Sequence, residues 1–334
     1  MRTVFFGTSE FAVPSLRALA ANSDVRLVVT QPDRPSGRGH RLHPTPVKAA
    51  AGELGLAVLE PARLIEALEA LGEAGADLFA LASYGKIVPR AILALPPLGF
   101  LNVHPSLLPL YRGATPLQSA LCDGVTRSGV TIMHMDAGMD TGDIVLQEAR
   151  PVGPRETYGA LHDRFAALGA DLLAQALERA LAGTLERIPQ ASLGVPPAEI
   201  AATRTRPLTK ADLAIDWSRP AKAVVDRVRS LAPQPLARHL LQGGGGVKIV
   251  SARVAGDAER DLLLAGIGNA NAVRAGTWHV VPETGSMKPI ALVVCGEGVV
   301  VVERAIAPNR GETDGATVAM MLAGESQAGP VSRR

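Results

Sequence analysis

Short apolar runs alternate with helical patterns through the first half of the chain. Five runs are dominated by apolar residues, at 3–6, 25–30, 77–83, 100–103 and 129–135. Between the first two runs, and again over 61–74, apolar residues recur every three or four positions, as on one face of a helix. Strands that alternate with helices are typical of a parallel sheet joined by crossover helices. We therefore predict an α/β fold whose N-terminal domain is a Rossmann-like parallel sheet.

The second half of the chain shows a different pattern. An apolar stripe from Leu161 to Leu181 predicts a long helix that covers one sheet face. Proline and short residues interrupt every periodicity over 188–207, which predicts a linker. One amphipathic helix, with Ser218 as its N-cap, then precedes several short strands separated by glycines. This pattern predicts a small β-barrel domain over 208–320, followed by a weakly structured tail at 321–334.

Composition excludes several classes of protein. The 334 residues include 34 basic, 32 acidic and only two cysteine residues, which argues against fibrous, disordered and disulfide-rich proteins. No apolar run approaches the roughly 18 to 20 residues of a membrane helix, and the N-terminus lacks a secretory signal. We therefore expect a cytoplasmic protein without membrane contact. Cys122 and Cys295 are isolated, and we predict no metal site.

Positive charge is concentrated in one segment. Residues 203–253 contain 10 basic and three acidic side chains. Such an excess favours either a polyanionic partner or a basic, solvated helix face, and charge alone does not decide between them.

The glycine that follows the first apolar run is the first candidate ligand site. Gly7 opens a strand-to-helix turn, as in dinucleotide-binding proteins, but that fingerprint requires three glycines and only one is present. A Gly-Lys-Ser/Thr ending for nucleoside triphosphates is also missing. The sequence therefore disfavours a dehydrogenase or an NTPase and favours a tight turn.

Polar residues at the end of one strand carry the candidate chemistry. Asn102 and His104 are two positions apart, so their side chains project from the same face. An amide can donate to a developing oxyanion, and an imidazole can exchange a proton near neutral pH. The loop 136–143 supplies three carboxylates, one of which would orient His104 and favour its protonated form. Asx turns are the alternative explanation of these acids, whereas a calcium loop with its terminal Glu is absent.

The two motifs resemble those of a known family. LNVHPSLLPLYRGATPLQSAL and GVTIMHMDAGMDTGDIV are similar to segments of the formyltransferases that use 10-formyltetrahydrofolate. FFGTSEFAVPSL, TQPDRPSGRGHRLHPTPVKAAA, SYGKIVP and LTKADLAIDWSRPA match in the same order, so the resemblance covers nearly the whole chain. It implies a catalytic domain over 1–187 and an OB-like, tRNA-binding domain over 208–320. The departures are the Ala232–Pro235 turn, an apparent insertion at 257–273 and the segment after Pro308.

The resemblance also implies which residues act. The catalytic residues would be Asn102, His104 and Asp140. The co-substrate 10-formyltetrahydrofolate would be bound by Ser106, Leu107, Leu108, Pro109, Tyr84, Gly85, Ile87, Val88, Asp136 and Gly138. Asp140 would hold His104 and raise its pKa.

The branch of the family with this arrangement acts on initiator methionyl-tRNA, which is therefore the expected partner. The resemblance implies that Arg38 is the main contact to the tRNA. We expect the other tRNA contacts at Arg34, Arg41, Lys48, Lys210 and Lys248, with the protein acting as a monomer. Two alternatives remain open from the sequence. The acceptor could be an amino sugar attached to a nucleotide, or the chain could be an inactive tRNA-binding relative.

Overall fold

The chain divides into two compact units. The computed structural model describes residues 1–36, 41–241, 245–267, 274–282 and 289–327, with side chains omitted at 34–36, 41–42, 264–267, 282 and 324–327. The first unit comprises Met1–Leu117, Arg127–Val152 and Ala160–Pro207. The second unit comprises Gln118–Thr126, Gly153–Gly159 and the chain from Leu208 onward.

The elements up to residue 207 alternate between strands and helices, as the sequence pattern predicts. The strands are β1 (Arg2–Gly7), β2 (Asp24–Val29), β3 (Arg34–Ser36), β4 (Arg41–His43), β5 (Val58–Leu59), β6 (Leu78–Ala82), β7 (Phe100–His104), β8 (Arg127–His134) and β9 (Ile144–Pro151). The helices are α1 (Val13–Asn22), α2 (Pro46–Glu53), α3 (Leu68–Glu73), α4 (Arg90–Leu93), α5 (Pro116–Cys122), α6 (Tyr158–Leu181) and α7 (Pro197–Ala202).

Seven of these strands form one sheet in the order β5-β2-β1-β6-β7-β8-β9. The first five are parallel, which confirms the Rossmann-like α/β prediction. β8 and β9 are antiparallel to their neighbours, so the sheet is mostly and not entirely parallel. Only the loop 135–143 joins β8 to β9, whereas a parallel connection requires a crossover of about a dozen residues or more.

Aromatic packing fixes the central strands against one another. Phe6, Phe79 and Phe100 come from the adjacent strands β1, β6 and β7, and their ring centroids lie 4.9 to 5.5 Å apart. The opposite face of the sheet receives α6. A Cβ atom at Gly169 of α6 would lie 2.5 Å from a methyl carbon of Val103, so glycine permits the close approach of helix to strand.

The second unit is built on antiparallel strands. Its strands are β10 (Ala237–Leu240), β11 (Gly246–Val254), β12 (Trp278–Pro282), β13 (Pro289–Val294), β14 (Val299–Ile306) and β15 (Glu312–Asp314), and its helices are α8 (Ala221–Leu231), α9 (Asp257–Ile267) and α10 (Gly315–Gln327). The sheet order is β10-β11-β14-β13-β12, with β15 paired to β14. A separate antiparallel C-terminal domain is thus confirmed.

The two edge strands of this sheet meet through aromatic rings. The ring of His239 on β10 lies 5.5 Å from that of Trp278 on β12, and Trp217 Nε1 donates to His239 Nδ1 at 2.9 Å. The sheet therefore curls back on itself. No ladder joins β10 to β12 in the part of the chain that the structure describes, so a fully closed barrel stays a prediction.

Three local expectations are revised by the structure. Helix α8 begins after Pro220, and Ser218 donates to Asp216 instead of capping the helix. Helix α10 continues to Gln327, so the first part of the expected tail at 321–334 is helical and the remainder lies outside the described residues. The expected linker 188–207 contains α7 and belongs to the first unit.

A buried ion pair fastens the second unit. Arg229 Nε donates to Asp226 Oδ1 at 2.7 Å, and both side chains are 6% exposed. The remaining guanidinium donors contact the carbonyl oxygens of Leu121, Gly153 and Glu156 at 3.2 to 3.3 Å. One arginine therefore ties the segments 118–126 and 153–159 to α8.

We expect Arg229→Met to lower the free energy of unfolding by about 3 to 5 kcal/mol, because it leaves the Asp226 carboxylate buried without its main partner. Lys222→Met is the matched control. Lys222 contacts the same carboxylate at 2.6 Å but is 69% exposed, so its loss should cost less than about 1 kcal/mol. Urea unfolding followed by tryptophan fluorescence measures both, since Trp217 and Trp278 belong to the second unit. If both variants lost the same free energy of unfolding, Arg229 would not be the main partner of the Asp226 carboxylate.

Candidate functional site

The site lies at the end of β7 in the first unit. Asn102 and His104 are buried and project from the sheet face opposite to Val103, which faces α6. The neighbouring strands β1 and β6 end beside them, and their following loops are joined by a hydrogen bond from the Thr8 amide to the Ser83 carbonyl at 3.1 Å. Three parallel strands thus deliver their carboxyl ends to one place, where open α/β sheets bind ligands.

The imidazole of His104 is oriented by a backbone carbonyl. Its Nε2 lies 3.1 Å from the carbonyl oxygen of Tyr111. Because a carbonyl oxygen only accepts hydrogen bonds, we assign the proton of the neutral ring to Nε2. Nδ1 is then the basic nitrogen, and Asp140 Oδ1 lies 3.8 Å from it, too far for a hydrogen bond.

Asp140 reaches His104 from an unexpected direction. Strand β8 is antiparallel to β7 and pairs His134 with Leu101, so the loop that follows it begins at the amino end of β7. The loop must fold back along the sheet to bring Asp140 to His104, at the other end of the strand. The three predicted catalytic residues therefore come from a strand end and from a loop that starts at the opposite end.

Backbone and side-chain contacts fix the tip of this loop. Asp140 adopts a left-handed conformation, with φ 55°, and its Oδ2 accepts a hydrogen bond from the Gly113 amide at 2.8 Å. At Gly142 a Cβ atom would lie 1.8 Å from the His134 carbonyl oxygen, so only glycine fits. Asp136 Oδ1 accepts from the Gly138 amide at 2.9 Å, as expected for an Asx turn.

Gln190 is the polar residue that the sequence analysis missed. Its side chain is buried, and its Nε2 donates to the carbonyl oxygens of Asp140 at 3.0 Å and Gly142 at 2.7 Å. Its Oε1 accepts from Nη2 of Arg112 at 2.6 Å and from Nε at 3.1 Å. The carboxamide thus connects the Asp140 loop to the residue next to Tyr111, whose carbonyl orients His104.

The sequence offered little warning of this role. Gln190 lies in the segment 188–207, whose prolines and short residues suggested a linker. A single glutamine between Pro189 and Ala191 has no distinctive spacing to the catalytic motifs. Only a preference for explaining each polar residue in an otherwise apolar stretch could have singled it out.

Burial sets the protonation of His104. Removal from water disfavours the charged ring and lowers the pKa of His104 from its ordinary value of 6.5. Asp140 and the Tyr111 carbonyl act to raise that pKa, and Arg112 lowers it, but burial is the largest effect. Asp140 thus acts in the expected direction and raises the pKa of His104, but burial outweighs it and the net pKa is lowered. Because the unfolded chain binds this proton more readily than the folded protein, the contribution of the neutral ring to the free energy of unfolding is fully present above about pH 6.5. It is lost as the pH falls through the pKa that His104 has in the folded protein.

The predicted Ser106–Pro109 turn is tied to β8. Ser106 Oγ donates to the Leu110 carbonyl at 2.7 Å, and the Ser106 carbonyl accepts from Thr131 Oγ1 at 2.7 Å. Leu108 packs against Met133 and Ile144 in a small apolar cluster. Ser106, Leu108 and Pro109 are buried, so the turn has a defined shape in which Leu107 keeps a partly exposed side chain.

The residues of the loop after β6 differ in how far they are exposed. The ring of Tyr84 is buried against Phe6, and its carbonyl accepts from Thr8 Oγ1 and Gln31 Nε2, so its side chain is unavailable to a ligand in this arrangement. Val88 is buried, Gly85 has a positive φ of 79°, and Ile87 is 83% exposed. Ile87 is thus the side chain of this loop that a ligand could cover.

The predicted tRNA contacts are only partly described. Arg38 and the side chains of Arg34 and Arg41 lie outside the described residues, although Arg34 and Arg41 belong to the short hairpin β3-β4. Lys48 Nζ contacts Asp33 at 2.7 Å and Glu60 at 2.8 Å, so two carboxylates compete with any phosphate for its charge. In the second unit, Lys210 and Lys248 are exposed.

Two further features are absent from the described ranges of the chain. Among the residues that the structure describes, no group of three or more His, Cys, Asp and Glu side chains is arranged to hold a metal ion. None of the helices found there is both long and apolar enough to cross a bilayer.

Comparison with known families identifies the family of this chain. Residues 1–177 match the family described as formyl transferase, and residues 207–320 match the formyl transferase C-terminal domain. The chain belongs to the formyltransferase family. Asn102, His104 and Asp140 all lie within the first match, and the family suggested by the sequence motifs is confirmed.

Curated relatives of the family resemble most of this chain. Methionyl-tRNA formyltransferase of Syntrophus aciditrophicus (strain SB) is 46% identical over 72% of this chain and 76% of its own. The protein of that name in Symbiobacterium thermophilum is 47% identical over 70% of this chain and 71% of its own.

Two solved structures share the fold at low sequence identity. The N-formyltransferase of Helicobacter canadensis, in complex with folinic acid and dTDP-3-aminofucose, has a TM-score of 0.62 and 16% identity over 90% of this chain and 98% of its own. HypX from Aquifex aeolicus, in complex with tetrahydrofolic acid, has a TM-score of 0.59 and 16% identity over 98% of this chain and 48% of its own.

We expect Gln190→Met to lower kcat for formyl transfer by about 10- to 100-fold with little change in KM, because a misplacement of about 1 Å can cost that much. Methionine keeps the length of the side chain but cannot bridge Arg112 to the Asp140 loop. Ser192→Ala, an exposed position in the same segment, is the control. If Gln190→Met had the kcat of the unsubstituted protein, the carboxamide would not be needed to position the site.

The protonation of His104 can be measured directly. In protein with isotope-labelled histidine, we expect the His104 resonance, assigned by its loss in His104→Gln, to titrate below pH 6.5. Asp140→Asn should move its pKa lower still, because it removes a charge that stabilises the imidazolium. A midpoint above pH 6.5 in the unsubstituted protein would show that Asp140 outweighs burial.

Proposed function

We propose that this protein transfers the formyl group of 10-formyltetrahydrofolate to the α-amine of methionyl-tRNA, with Asn102, His104 and Asp140 as its catalytic residues. The acceptor is suggested by relatives that carry this activity in their names and are 46 to 47% identical over at least 70% of both chains. The observation that carries the chemistry is the buried His104 with the partly buried Asp140 beside it, 3.8 Å from Nδ1 to Oδ1, at the carboxyl end of β7. As a step of translation initiation, the reaction would take place in the cytoplasm.

The side chains suit direct attack of an amine on a formyl carbon. The α-amine has an ordinary pKa of about 7.7 to 8.0, so a useful fraction is unprotonated near neutral pH and no covalent enzyme intermediate is required. The Asn102 amide donates to the oxygen that becomes negative when the carbon turns tetrahedral. A donor of this kind is typically worth about 3 to 4 kcal/mol of transition-state stabilisation.

His104 provides a route for the proton. The attacking amine loses one proton, and the N10 leaving group of the folate must gain one. With Nε2–H committed to the Tyr111 carbonyl, Nδ1 of the neutral ring is free to accept the first proton and return it. Asp140 stabilises the imidazolium while it carries that proton, because their atoms face each other across 3.8 Å.

The residues near the site fit a folate co-substrate. Folate has a flat ring system whose edges carry hydrogen-bonding groups and whose faces are apolar. Exposed Ile87 offers an apolar surface, and the backbone of the loop 136–142 offers polar groups held in place by Asp136 and Gln190. Ser106 to Pro109 would border the same ligand.

Labelled formyl donor incubated with methionyl initiator tRNA tests the proposal. We expect label on the tRNA and a loss of about 10²- to 10³-fold in kcat for Asn102→Ala, because the oxyanion donor is removed. Asn22→Ala, at the exposed end of α1, should behave as the unsubstituted protein. An amino-sugar nucleotide is offered as acceptor in a parallel incubation. Label on that nucleotide and none on the tRNA would show that the acceptor is the amino sugar. Label on neither would show that the protein does not catalyse formylation.

A further inference from the structure

Two arginines lie side by side next to the reaction centre. Residues 111–115 run beside residues 203–206, with a parallel bridge between Gly113 and Thr205. The Thr205 amide donates to the Arg112 carbonyl at 2.8 Å, and the Thr115 amide donates to Thr205 Oγ1 at 3.1 Å. In this register Arg112 lies opposite Arg204.

The pairing is held closely. A Cβ atom at Gly113 would lie 2.2 Å from the Thr205 carbonyl oxygen, so the two segments approach as near as glycine permits. Thr203 also accepts a hydrogen bond from the Tyr111 amide at 3.4 Å. The position of Arg204 is therefore fixed by the residues on both sides of it.

Like charges directly opposite each other are unfavourable unless an anion compensates them. Burial and the charge of Arg204 both lower the pKa of Arg112, and the influence of Arg204 exceeds the opposing attraction of Asp140 or of Asp136. Within the part of the chain that the structure describes, no carboxylate lies within 4.0 Å of either guanidinium.

Arg112 is also prepared for a ligand. Its Nε and Nη2 are bound to the buried Oε1 of Gln190, which fixes the plane of the guanidinium, and Nη1 has no hydrogen-bond partner among the described residues. A planar guanidinium that is already oriented loses little entropy when it binds an oxyanion. Arg204 is exposed and can adjust to the same group.

We propose that Arg112 and Arg204 form an anion-binding pair that holds a phosphodiester group of the tRNA acceptor end beside the reaction centre. This assignment rests on the proposed function. The attacking amine is joined through its ester to the terminal ribose, and that ribose carries the 5′-phosphate of the terminal nucleotide. A phosphate must therefore accompany the amine to His104, whose carbonyl partner Tyr111 precedes Arg112.

The test compares Arg204→Ala and Arg204→Lys with Arg179→Ala, which removes the same charge from an exposed position late in α6. For each protein, KM is measured for methionyl-tRNA and for the formyl donor at several salt concentrations. We expect Arg204→Ala to raise KM for the tRNA about three- to tenfold and to flatten the dependence of log KM on log salt by about 0.7. Arg204→Lys should lie between, and KM for the formyl donor should not change.

Binding of fluorescent deacylated tRNA is measured in parallel, so that the pair is tested separately from turnover. A Kd for Arg204→Ala that equals that of Arg179→Ala, with equal KM values, would overturn the proposal. A raised KM for the formyl donor alone would assign the pair to a folate carboxylate and overturn it as well. If the unsubstituted protein formylates no tRNA, the proposed function fails, and the Kd comparison alone decides whether the pair binds phosphate.

Discussion

The proposed reaction centre depends on one buried carboxamide that fastens a loop to a turn. The loop 135–143 starts at the amino end of β7 and must return along the sheet before Asp140 can approach His104. Gln190 satisfies two carbonyl groups of that loop and two donors of Arg112 at once. Since every polar atom of the carboxamide is paired, its burial costs little, and it sets the position of both neighbours of His104.

His104 shows how burial and charge compete in such a site. A carboxylate 3.8 Å away attracts a proton to the ring, but it is too distant to hydrogen bond, while burial penalises the imidazolium. The outcome is a neutral ring at rest whose charged form is stabilised by a waiting anion. That combination suits a group that must take up a proton and release it again within one reaction.

The sequence predicts some parts of this molecule well. Alternating apolar runs place β1, β2, β6 and β7, because buried parallel strands need continuous apolar stretches, and the two-residue spacing puts Asn102 and His104 on one face. The antiparallel direction of β8 escapes that reasoning, since a strand has the same pattern in either direction. The pKa of His104 escapes it too, because burial is a property of the packed fold. Gln190 was missed because its role depends on hydrogen bonds to residues that are distant along the chain, and its sequence neighbours do not reveal them.

The segment between the two matched family regions contributes residues to the site, as the motifs do. The first match ends at residue 177 and the second begins at 207, yet Gln190 and Arg204 lie between them and contact or face Arg112. The first structural unit accordingly extends to Pro207. Without residues 178–207, the Asp140 loop would lose its two bonds to Gln190, and Arg112 would lose both its acceptor and its neighbour. The first structural unit is therefore longer than its recognisable motifs, because the motifs contain the proposed reacting groups while the segment that follows holds them in position.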